Sequence, residues 1–168
     1  SNHSGQRFAN APITAFQEND LAVDSNLMAQ YRQAQLLLEQ FRSGEVAPDL
    51  IFDLERMAKY YAGCDLLNAY HGVIWHNQRF YYNPIIGKLE PIGFDGFAEK
   101  PAARYHFLGE GALQMDALES ESMLAYLLQD KKFVELYIQT LLLQLSQSSN
   151  KNRSEELVQM AEKAHLGR

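Results

Sequence analysis

A single cysteine, Cys64, stands in a chain of 168 residues. No intrachain disulfide can form, but the redox compartment stays open, because many exported domains also lack disulfides. Packing within a helix is the expected role of that thiol. No apolar run approaches the roughly 18 residues of a membrane span, so no spanning helix is expected. Nor does a charged and apolar leader open the chain. The first residues, Ser1-Asn2-His3-Ser4-Gly5, read instead as the edge of an excised fragment. Positive charge is in deficit: the formal net charge is -6 and no dense Lys/Arg cluster occurs. Nucleic acid and anionic membrane surfaces are therefore not expected partners. A phosphate-cradling glycine-rich loop of the P-loop type is missing too, as are internal repeats and low-complexity tracts.

What is present is a globular composition. A chain that is 46% hydrophobic and 21% charged can bury a core and need not be disordered. Its length fits one domain with or without a tail. Residues 1–22 show little periodicity and read as an arm or loop. Residues 23–168 read as a single, mostly helical domain whose core motif spans 53–95. Asp24 or Ser25 caps a helix to about Ser43, ended by Gly44. Leu27, Tyr31, Ala34, Leu37, Leu38 and Phe41 recur at helical spacing as its buried stripe. Pro48 and Asp49 mark a turn. Asp53 caps a second helix that fades near Asn68, with Leu54, Met57, Ala58, Tyr61 and Leu66 inward. Strands are expected over 79–83 and 88–94, joined by a hairpin loop from Asn83 to Gly87. Residues 96–112 should be irregular. A short helix then starts at Ser120 or Ser122, a longer one is capped by Asp130, and Asn152 with Glu155 caps a last one. The fold class expected is α+β, mostly α, with helices around one small antiparallel β-hairpin.

Chemistry concentrates between Asp65 and Asp95. Asn77 precedes the first strand of the hairpin and Asp95 follows the second. A hairpin brings its outer ends together, so an amide oxygen and a carboxylate could share Mg²⁺ and leave coordination positions for phosphate. Turn and cap hydrogen bonds are the plainer role for the same two residues. His71, His76 and Asp95 could in principle take zinc, although the spacing of the two histidines is not that of a helical pair. Trp75, Phe80, Tyr81 and Tyr82 form either a stacking platform or, as alternating strand aromatics more often do, part of the core.

Taken together, the helix over 53–68, His71-Gly72, His76-Asn77, Phe80 to Pro84 and Gly87 to Asp95 resemble the CotH family of kinase-like spore-coat proteins. Asp130 to Tyr137 is similar to that family's helix after the active site. The resemblance implies the C-terminal lobe of an atypical protein kinase, with Mg²⁺ and ATP as cofactors. Asn77 then matches the metal-binding asparagine and Asp95 the metal-binding aspartate, both also cofactor-binding. The family's catalytic aspartate falls five residues before the asparagine, where this chain has Gly72. The candidate catalytic groups become His71, beside that glycine, and Asp65, which lies too far upstream to be a simple equivalent. No strand-rich segment with a nucleotide-binding lysine precedes the region, so the chain reads as a large lobe only, incomplete for catalysis. A protein substrate or binding partner is implied, with an envelope or secreted location, while a cytoplasmic one stays open. The rival reading is a non-catalytic protein-interaction module on the same scaffold.

Overall fold

The computed structural model describes residues 11–16, 18–98, 107 and 123–147. Within them lie six α-helices and one hairpin: α1 (Glu18–Leu21), α2 (Ser25–Ser43), α3 (Pro48–Ile51), α4 (Leu54–Leu67), β1 (Arg79–Asn83), β2 (Lys88–Ile92), α5 (Met123–Leu127) and α6 (Lys131–Gln147). The architecture is mostly helical with a single two-stranded antiparallel sheet, as expected.

Local chemistry explains most boundaries. Asp24 accepts from the amides of Asn26 and Leu27 and starts α2, and Gly44 ends it at φ 69°. Asp53 accepts from Arg56 N and starts α4, while Asn68 closes that helix in the left-handed region at φ 54°. These are side-chain and backbone partners for amides and carbonyls that helix ends leave open. The Asp130 carboxylate does the same for α6, accepting from Phe133 N at 2.8 Å. Gly87 takes φ 66° in the loop that returns β1 onto β2, a conformation that costs glycine little.

Three expectations need correction. Leu27 does not join the buried stripe of α2: it is 41% exposed, and only Leu37 and Phe41 on that helix are fully buried. The helix projects its first turns past the core. Pro48 and Asp49 open a short helix, α3, and not a turn. Proline is equally suited to either, since its fixed φ fits the first helical position. The second strand stops at Ile92, short of Phe94. Within residues 11–22, α1 forms over Glu18–Leu21 and Ile13 O accepts from Tyr31 Oη at 2.6 Å. The expected helix after Asn152 lies outside the described residues.

The core is one cluster. α4 and α6 pack along each other, and Tyr61, Phe133 and Tyr137 are among its fully buried rings. The hairpin lays Phe80, Tyr82 and Leu89 on this core, so of the candidate platform only Tyr81 stands out at 51% exposure. An isolated parallel bridge from Phe52 to Leu89, with Asp53 N donating to Leu89 O at 3.0 Å, ties β2 to the start of α4. That junction fixes where the hairpin's open ends point. Among the described residues no helix is long and apolar enough to cross a membrane.

Candidate functional site

After Asn68 the chain cannot continue helically and makes two short 3-10 turns, Tyr70–Val73 and Trp75–Asn77. They deliver Asn77 to the foot of β1. Register pairs Arg79 with Ile92, and three residues later the chain reaches Asp95 at φ 53°. Aspartate and asparagine tolerate that left-handed conformation better than most side chains. The result is a direct contact: Asn77 Nδ2 donates to Asp95 Oδ2 at 2.9 Å and to His71 O at 3.0 Å. Asn77 is buried, whereas the side chain of Asp95 is 44% exposed.

His71 completes the corner. Its Nδ1 lies 3.9 Å from Asp95 Oδ2, and its ring stacks on Phe97 at 5.0 Å between centroids. Asn77, Asp95 and His71 are thus brought together. Asp65 is not. It sits in the last turn of α4 at 2% exposure, where the Tyr137 hydroxyl of α6 donates to its Oδ2. That location removes Asp65 from the corner and gives it a partner in the core. His76 is exposed, edge-on to Trp75. No group of three or more His, Cys, Asp or Glu that could hold a metal occurs among the described residues, so zinc at His71, His76 and Asp95 has no geometric support.

Gly72 is held by contacts on three sides. Tyr60 Oη donates to Gly72 O at 2.6 Å. A Cβ added at Gly72 would meet Tyr60 Oη at 3.0 Å, Gly96 Cα at 3.3 Å and Cys64 Sγ at 3.5 Å. Glycine here serves close approach between α4 and the Asp95 turn, and any larger side chain at this position must push its neighbours aside.

Beneath the corner, burial favours the neutral forms of Cys64, Tyr60 and Tyr61. Burial pushes the Cys64 thiol up to about 11 from its ordinary 9.0, partly offset by a bond to Tyr60. Burial likewise raises the phenols of Tyr60 and Tyr61. Groups whose folded value is raised contribute stability below the unfolded value and lose it as pH climbs through the folded one. Stability should therefore hold to about pH 9 and fall above it, first through Cys64. In thermal melts from pH 8 to 11, Cys64→Ala should delay the onset by about one pH unit. An unchanged onset would contradict this.

The chain matches no family model, no curated protein and no solved structure.

Proposed function

We propose that the chain carries the large-lobe corner of a CotH-like, kinase-type fold, in which Asn77 and Asp95 take up the Mg²⁺ of a bound nucleotide. The observation that carries this reading is the 2.9 Å approach of an exposed carboxylate to a buried amide across the open end of the hairpin. Two hard oxygen donors fit Mg²⁺, which is ordinarily held by one or two carboxylates plus phosphate oxygens and water. They do not make a free-standing metal site. In the present arrangement the amide turns its nitrogen to Asp95. Uptake of an ion needs Oδ1 there, which forfeits the bond to His71 O, so affinity is modest.

The crowding around Gly72 favours a second element of the reading: binding without efficient phosphoryl transfer. Positioning and electrostatics supply most of that chemistry, and here the base position is filled by packing. A non-catalytic interaction module whose partner binding responds to nucleotide is the form this would take.

Asp95→Asn is the test. Asparagine keeps the left-handed backbone and an acceptor for Asn77, so the melting temperature should barely move. In calorimetric titration, Mg·ATP affinity should fall at least about tenfold, since one charge-assisted ion contact is lost. Unchanged affinity, or a clear loss of stability with unchanged affinity, rejects the ion role.

A further inference from the structure

Arg79, the first residue of β1, plays no part in the reading above, yet it touches both halves of the corner. Its Nη1 donates to His76 O at 2.8 Å and to Gln78 O at 2.9 Å. The first belongs to the peptide that enters Asn77, the second to the peptide that joins Gln78 to Arg79. Its guanidinium carbon also lies 4.7 Å from the centroid of Phe94, the residue before Asp95. A second ring, Phe16 of the N-terminal arm, stands at 5.6 Å. The arm is tethered there because Tyr31 and Gln35 of α2 both donate to Ile13 O.

We infer that Arg79 is the positioning residue of the Asn77–Asp95 corner, clasping the turn that carries Asn77 and stacking on the residue that precedes Asp95. Three physical features make the assignment specific. Charge-assisted bonds from a guanidinium to carbonyls are stronger than neutral ones. Holding the His76 carbonyl fixes the peptide plane that leads into Asn77, and holding the Gln78 carbonyl fixes the plane that leads out of the turn into β1, so together they set where the Asn77 amide points. Stacking on Phe94 joins this turn to the other end of the hairpin, which backbone pairing leaves free after Ile92. Lysine could supply the charge but not the planar fork or the stacked face. Phe16 extends the clasp to the arm, so the arm's docking is felt at the corner through the same guanidinium.

The inference rests on the ion-binding reading for its purpose but not for its test. The side-chain amide protons of Asn77 are both engaged, with His71 O and Asp95 Oδ2, and report the corner by NMR without any ligand. Arg79→Met keeps the aliphatic stem and removes the fork. It should move the Asn77 side-chain amide signals and speed their exchange with water about tenfold, the loss of roughly one charge-assisted bond, with amides of α4 and α6 unchanged. Phe94→Leu keeps every hydrogen bond and should give a smaller change of the same kind, which covers the case of a poorly folded Arg79→Met. Arg79→Lys should restore only part of the wild-type exchange rate. Wild-type Asn77 signals in Arg79→Met, or a full rescue by lysine, would overturn the inference. If Asp95→Asn leaves Mg·ATP binding intact while Arg79→Met disturbs Asn77, the ion reading fails and the positioning role stands.

Discussion

Tyr137→Phe is expected to destabilise the protein by about 3 kcal/mol, because it removes a hydroxyl that donates to a buried carboxyl group. Tyr137 is 1% exposed and Asp65 2%. The hydroxyl of one donates to the carboxyl of the other across the α4–α6 packing. Burial first, and Asp65 second, hold the Tyr137 phenol well above its ordinary 10.0. For a chain of this size the loss corresponds to a fall of roughly 10 °C in melting temperature. Replacing both partners tests the cause. Leucine at 65 together with phenylalanine at 137 removes the polar pair entirely and should recover most of the loss, since apolar groups of similar shape substitute for a satisfied pair at little cost. A double variant as unstable as the sum of the two singles would mean that packing, not the hydrogen bond, holds α4 to α6.

That pair also marks what could be read in the sequence. Helix ends were legible because their signals are local: Asp24, Asp53 and Asp130 each accept from an amide two or three residues on. The hairpin was legible from Asn83 to Gly87, and with it the approach of Asn77 to Asp95, since strand pairing brings the two outer ends together. Asp65 was not. It meets Tyr137 across 72 residues of chain, and nothing nearby distinguishes a carboxylate bound for the core from one bound for a site. Leu27 has the spacing of a core residue, but its exposure depends on where the rest of the domain ends. Arg79 was missed for a related reason. Its partners are backbone carbonyls and two rings, Phe16 and Phe94, that come close only once the arm and the hairpin have docked. A positive charge beside aromatics at a strand start was the available signal.

A carboxylate placed beside the corner tests how much space the chain leaves there. Gly72→Asp should cost about 3 kcal/mol or more and confer no ATP turnover. The steric part comes first. The new Cβ would stand 3.0 Å from Tyr60 Oη and 3.3 Å from Gly96 Cα. Overpacking of this order costs about 1–3 kcal/mol. Tyr60 is hard to displace, because its hydroxyl is bonded to Gly72 O and its ring lies edge-on to Tyr61. Gly96 is backbone, and moving it drags Asp95. An added carboxylate at this buried position brings a desolvation cost as well, with Cys64 Sγ already 3.5 Å from the Cβ. Gly72→Ala isolates the steric part and should be destabilised less than the aspartate variant, by about 1–2 kcal/mol. Thermal melts order the three proteins, and a phosphate-release assay with Mg·ATP reads turnover. Wild-type stability in Gly72→Asp, with new turnover, would mean that the space exists and that the chain is one substitution from a working kinase corner. The expected order, wild type above alanine above aspartate with no turnover in any, fits a corner in which close approach of α4 and the Asp95 turn fills the space beside Gly72.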